Sequence, residues 1–126
     1  MAKQLLINVL YVDDEVHNLQ AFQATFRRSC NVFTANSAME AEVILAENDI
    51  HVLITDQRMP VKTGTQLLAE TINKYPDQVR ILVTAFADVK CMEDAIKKGY
   101  VYKILKKPWD HETLQQAIEE GLKYLI

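Results

Sequence analysis

Most of what would mark an obvious function is missing from this chain. There is no basic excess: 14 Lys and Arg against 17 Asp and Glu leave a formal net charge of −3. That balance gives no electrostatic reason to expect nucleic acid or a membrane surface as a partner. Cysteine is scarce. Cys30 and Cys91 lie far apart and fit neither a metal nor a redox spacing, so both are expected as free thiols in a reducing cytosol. No apolar run is long enough to cross a bilayer. The run that follows Met1-Ala2-Lys3-Gln4 is too short for a signal peptide. Both points lead to a cytoplasmic expectation. There is no repeat and no low-complexity segment. His17, His51 and His111 have no partner at ligand spacing and are expected as surface or hydrogen-bonded side chains.

What is present is a globular composition. Of 126 residues, 49% are hydrophobic and 25% charged, which excludes disorder and allows a real core in one domain over 1–126. The stretch from Val52 to Gly64 organises the rest. Val52-Leu53-Ile54-Thr55 is a short β-branched apolar run, as in a strand buried on both faces. It stops at Asp56. A carboxylate in mid-strand would be costly to bury, so Asp56 is expected at the strand's carboxyl end. Pro60 and Gly64 then mark a loop.

The same grammar repeats along the chain. Strands are expected at Ile7–Val12, Val32–Ala35, Ile50–Thr55, Val79–Thr84 and Val101–Leu105, the last with Lys103 on a wetter edge. Between them lie helical patterns. The first carries Leu19, Phe22 and Phe26. The second opens at a Ser37–Glu40 capping box, runs to about Glu47, and turns Ala38, Ala41 and Leu45 inward. The third carries Leu67, Leu68, Ile72 and Tyr75 and stops at Pro76. The fourth is capped by Asp88, carries Met92, Ala95 and Ile96, and ends at Gly99. The fifth is capped by Asp110 and carries Leu114, Ile118, Leu122 and Leu125. Trp109, just before it, reads as a staple against that helix or as part of a partner surface. Strict βα alternation implies an α/β, doubly wound, five-stranded parallel sheet with helices on both faces. The flavodoxin-like strand order 2-1-3-4-5 is the common one at this size.

In such a sheet, ligands gather at the carboxyl ends of the strands. This chain delivers Asp13 and Asp14 there after strand one, Asp56 after strand three, Thr84 after strand four and Lys107 after strand five. Each has an ordinary explanation alone. An acid pair suits a helix N-terminus, Thr is a β-former, and a loop lysine is a solvated charge. Together they are harder to dismiss. Three converging carboxylates repel unless a cation lies between them, and hard oxygen ligands in a hydrated site suit Mg²⁺. Phosphoryl transfer needs its equatorial oxygens neutralised, which Mg²⁺, the Lys107 ammonium and the Thr84 hydroxyl could share. Asp56 is then the expected nucleophile, becoming an acyl phosphate.

Val12-Asp13-Asp14-Glu15, Asp56-Gln57-Arg58-Met59-Pro60 with Gly64, Val83-Thr84-Ala85 and Lys107-Pro108 resemble the motifs of the receiver domain of two-component response regulators. The resemblance covers essentially the whole chain. It implies that Asp56 is the phosphoacceptor and that Asp14 binds Mg²⁺ directly, with Asp13 acting mainly through water. The Arg58 backbone carbonyl would be a further metal ligand. Thr84 would follow the phosphoryl group and Lys107 would pair with it. The resemblance also implies a cis Lys107–Pro108 bond. The implied partners are a sensor histidine kinase or phosphotransfer protein and a fused or separate output domain. A phosphorylation-linked homodimer is among the assemblies it allows. Such a module is not an enzyme acting on others, but it assists its own phosphorylation and dephosphorylation.

The chain departs from the family in one place. Three residues before the lysine, where the family usually carries a switching Tyr or Phe, stands Ile104. Tyr102, two residues earlier, is expected on the same strand face. Switching is therefore expected through Thr84 and the following loop rather than through an aromatic swing. Arg58 and Phe86 occupy positions where the family varies its dephosphorylation rate.

Other readings are weaker. A haloacid-dehalogenase-like phosphatase also uses a strand-end Asp with Mg²⁺, but it wants a second Asp where Arg58 stands. A phosphorylation-independent receiver used for protein contacts usually lacks an acid or the lysine. An FMN-binding flavodoxin would need a hydroxyl-rich phosphate loop after strand one. With no DNA-binding or catalytic output segment in view, the chain reads equally as a stand-alone receiver or as one excised from a longer protein.

Overall fold

The computed structural model describes residues 7–85 and 89–123, and of 89–91 the backbone alone. Strands and helices alternate: β1 (Asn8–Val12), α1 (Val16–Phe26), β2 (Asn31–Ala35), α2 (Ala38–Glu47), β3 (Val52–Asp56), α3 (Gly64–Lys74), β4 (Val79–Thr84), α4 (Val89–Lys97), β5 (Lys103–Lys106) and α5 (His111–Lys123). The strands form one parallel sheet in the order β2-β1-β3-β4-β5.

The near-continuous apolar strands make sense because both faces are covered. Alternate residues of one strand serve different cores. Leu10, Val12, Leu53 and Leu82 face α2, α3 and α4, where they meet Ala41, Leu45, Leu67, Leu68 and Ala95. Val9, Tyr11, Ile54, Ile81 and Val83 face α1 and α5, where they meet Phe22, Phe26, Leu114, Ala117 and Ile118. Ala38, Ala41 and Leu45 point inward as expected, as do Phe22 and Phe26.

Several local expectations change. Ser37 caps α2 by accepting from Glu40 N, but Glu40 Oε1 accepts from Asn36 N, one residue before the cap. The reciprocal capping box is instead at α3, where Thr63 accepts from Gln66 N and Gln66 Oε1 accepts from Thr63 N. Gly64, expected in the loop, is the first residue of α3. Ile96, expected to pack inward, is 57% exposed. It lies one position beyond Ala95, about 100° further round the helix, and falls off the narrow buried stripe. Gly99 ends the α4 segment at φ +75°, a left-handed conformation suited to glycine.

β5 begins at Lys103, not Val101, so the period-two argument does not reach Tyr102. Ile104 packs with the α2–α4 core, whereas the Tyr102 ring lies over Gly121 of α5 on the other side of the sheet. They do not share a face. Asp110 does cap α5, accepting from Thr113 N at 3.2 Å. The expectations for Asp88, Phe86 and Leu125, and for the Cys91 side chain, lie outside the described residues.

Candidate functional site

Strand register brings the site together. Val12 pairs with Thr55, so Asp13 and Asp56 are neighbours across β1 and β3. Asp56 pairs with Val83, which puts Thr84 one step beyond it on β4. Thr84 pairs with Lys106, so Lys107 leaves β5 at the same rim. Lys107 N donates to Thr84 O at 2.9 Å, fixing that loop to the end of β4.

Asp13 is fully buried, Asp56 is 8% exposed, and Asp14 faces solvent. One carboxylate oxygen from each lies within 4.8 Å of the others. Lys107 Nζ is 2.6 Å from Asp13 Oδ2 and 3.4 Å from Asp56 Oδ2. Burial pushes the Asp56 carboxyl above its ordinary pKa. Lys107 opposes this shift, and the Asp13 charge adds to it. Two nearly buried carboxylates share one ammonium, with a third acid at the solvent edge. The donor set is all oxygen and partly open, and three carboxylates face one ammonium, which fits a small hard divalent cation such as Mg²⁺.

The backbone around Asp56 is tightly set. Asp56 Oδ1 accepts from Gln57 N at 2.9 Å. Gln57 reaches the start of α3, donating to Thr65 Oγ1 and accepting from Thr65 N. Gly64 N donates to Gln57 O at 3.0 Å. A Cβ on Gly64 would lie 2.3 Å from Asp56 O, so α3 can approach the acceptor strand this closely only at a glycine. Arg58 is exposed, and Thr84 is buried at the end of β4.

The Lys107–Pro108 bond is cis, as the motif implied. Trp109 precedes the Asp110 cap and packs against the core that holds Leu114, Ala117 and Ile118 of α5, in keeping with a staple. Its ring packs against Tyr11, Phe22 and Phe26 of β1 and α1. Its Nε1 donates to the Tyr11 hydroxyl at 3.1 Å, and that hydroxyl donates to Asp13 Oδ2 at 3.2 Å. Asn18 Nδ2 also donates to Asp13 Oδ2, and Glu15 N donates to Oδ1. Burial, with the Asp13 and Asp56 charges, keeps the Tyr11 phenol well above its ordinary pKa despite the Trp109 bond. The sequence carries no local sign that Tyr11, Asn18 and Trp109 belong to the site. Tyr11 has the pattern of any strand residue, and nothing local links it to a tryptophan 98 positions on.

The histidines play structural parts or face solvent. His51 Nδ1 accepts from Asn8 N, His111 packs on the Phe26 ring, and His17 is exposed. The half-buried Cys30 thiol is raised in pKa by burial, as suits an unreactive side chain.

Comparison with known proteins decides the family. The model of the response regulator receiver domain matches residues 9–119. The chain is a response regulator receiver domain. It is 35% identical over 120 residues to the hydrogenase transcriptional regulatory protein HoxA of Cupriavidus necator, covering 91% of this chain and 25% of that protein. It is 29% identical over 119 residues to the transcriptional regulatory protein ZraR of Escherichia coli, covering 94% and 27%. The receiver thus spans about a quarter of the length of the curated relatives it matches. Among solved structures, the signal receiver domain of an HD domain-containing protein from Pseudomonas fluorescens superposes with a TM-score of 0.91 at 30% identity. That match covers 96% of this chain and 98% of that one. A receiver domain from Clostridium thermocellum gives 0.89 at 31% identity, covering 94% and 96%. Among the described residues, no helix is long and apolar enough to cross a membrane.

Proposed function

We propose that this receiver takes a phosphoryl group onto Asp56 from a phosphohistidine of a sensor kinase or phosphotransfer protein. The observation that carries the reading is the position of Lys107 Nζ, within 3.4 Å of Asp56 and 2.6 Å of Asp13, beside three convergent carboxylates. An Asp56 carboxylate oxygen bonds to phosphorus as the P–N bond breaks. The imidazole leaves with the electron pair and is reprotonated from solvent. Asp13, Asp14, Asp56 and the Arg58 carbonyl would hold Mg²⁺, which when bound neutralises charge on a phosphoryl oxygen. Lys107 turns from Asp13 to pair with a second oxygen, and the Thr84 hydroxyl donates to a third. The domain occupies 1–126, acts in the cytoplasm, and assists only its own phosphorylation and dephosphorylation.

The added charge, about −1.5 to −2, then biases a two-state surface that an output domain, fused or separate, can read. Relatives named as transcriptional regulators support a transcriptional output. A haloacid-dehalogenase-like reaction is disfavoured by Arg58 at the position of the required second acid. The test is incubation with acetyl phosphate, with and without Mg²⁺, followed by intact mass. One phosphoryl adduct is expected with Mg²⁺ only, and none in Asp56→Asn. An adduct that survives in Asp56→Asn places the chemistry elsewhere.

A further inference from the structure

Asp13 Oδ2 is approached by three donors: Lys107 Nζ at 2.6 Å, Asn18 Nδ2 at 3.1 Å and the Tyr11 hydroxyl at 3.2 Å. The direction of the Tyr11 bond is settled by its other neighbour. An indole N–H can only donate, so the Tyr11 oxygen accepts from Trp109 and its single proton is left for Asp13. Tyr11 is fully buried, and its ring stacks on Phe22 at 4.5 Å, so the hydroxyl has little freedom to turn elsewhere. Trp109 belongs to the loop that carries Lys107. That loop therefore grips Asp13 twice, directly through the ammonium and indirectly through Trp109 and Tyr11.

The two grips have different fates if Lys107 leaves Asp13 for a phosphoryl oxygen on Asp56, a step taken from the proposed function and resting on it. Asp13 would then lose its one direct ion pair and meet the Mg²⁺ of the proposed site mainly through water, so this fully buried carboxylate depends on its remaining direct donors. We propose that Tyr11, itself held by Trp109, is a positioning residue that keeps Asp13 hydrogen-bonded when Lys107 departs, and that the departure is felt at Trp109. The consequence is twofold. Tyr11 favours the loaded state over the empty one, because its bond matters more once the ammonium has gone. Trp109, the only tryptophan in the chain, carries an optical record of the site's occupancy through the same two bonds.

The experiment is a titration of the whole chain with beryllofluoride and Mg²⁺, a phosphoryl mimic, followed in parallel by Trp109 emission and by bound fluoride in ¹⁹F NMR. In the wild-type protein both signals should saturate together. In Tyr11→Phe the half-saturation seen by ¹⁹F should rise about five- to tenfold, and the emission change should be lost although the mimic still binds. A purely structural role for Tyr11 would lower the melting temperature without uncoupling the two signals. Unchanged half-saturation with an intact emission response in Tyr11→Phe overturns the proposal. If Tyr11→Phe does not fold, Trp109→Phe decides by ¹⁹F alone. A rise of about two- to threefold supports the relay, and no rise overturns it. Absence of bound fluoride in the wild-type protein overturns the phosphoacceptor reading itself, and that failure is visible before any variant is made.

Discussion

The two ends of the sheet bury polar groups in opposite ways. At the amino end, Arg80 is buried in β4, and its guanidinium donates to Tyr100 O at 3.0 Å and to Tyr75 O at 3.1 Å. Nearby, Gln78 donates to Ile50 O, and Asn8 donates to Asp49 O. Backbone carbonyls disperse the charge and tie the end of α3 to the α4–β5 connection. Among the described residues only Gln78 Oε1 is left buried without a partner. At the carboxyl end, Asp13 and Asp56 are pressed together with one ammonium between them. One end dissolves its charge into the backbone for stability. The other leaves like charges unneutralised, a state that a cation and a phosphoryl group can complete.

The contrast can be broken at several points. The largest effect is expected from Gly64→Val. Its side chain would collide with the Asp56 backbone and the Leu82 side chain, at a cost of about 3 kcal/mol in denaturant unfolding. An unperturbed Gly64→Val protein with wild-type stability would mean that α3 need not press on the acceptor strand. Next is Arg80→Met. It leaves the Tyr75 and Tyr100 carbonyls without their donor and should cost about 2 kcal/mol. Mg²⁺ affinity by calorimetry should stay unchanged. A parallel loss of Mg²⁺ affinity would show that the two ends are not independent.

Asp56→Asn should go the other way. Burial raises the folded pKa of Asp56 above its unfolded value, so the ionised carboxylate costs stability above the folded pKa. That cost fades as pH falls through the folded pKa toward the unfolded one, where both states are protonated. The metal-free Asn variant should therefore gain about 1 kcal/mol at neutral pH and lose that part of the pH dependence. Mg²⁺ should raise the melting temperature of the wild-type protein and hardly that of the variant. A destabilised Asp56→Asn protein would remove the idea that this end stores repulsion.

The smallest effect is expected at Lys62, which bridges Glu42 of α2 and Glu70 of α3 at 2.6 Å each on the loop after β3. Both partners are partly exposed, so Lys62→Ala should cost about 0.5 kcal/mol, less in high salt. A larger loss would make this ion pair part of the site's scaffold.

How much of this could be read beforehand divides along a physical line. Strand-ending acids, the Thr84 and Lys107 positions, the α/β alternation and the inward faces of α1 and α2 are local statements. Each depends on period, caps and a residue type that cannot be buried alone, all written within a few neighbouring positions. The misreadings fall where local rules run out. Gly64 looked like a loop breaker because its close approach to Asp56 O exists only after α3 packs. Counting by two from Ile104 puts Tyr102 on its strand face, but β5 starts only at Lys103. Arg80 lies within an apolar strand, and no local rule points to the Tyr75 and Tyr100 carbonyls that receive its guanidinium.

Which chemistry gathers at the rim of the sheet follows from local pattern, because strand ends and hydropathy dictate where a carboxylate can be placed. How that chemistry is held follows from contacts between distant parts of the chain. Lys107 lies 94 positions from Asp13 and Trp109 lies 98 from Tyr11. Such pairs form through strand register and loop closure, to which no local pattern of the chain refers. The Trp109–Tyr11–Asp13 chain is therefore a property of the fold, built from residues whose roles are invisible until it closes.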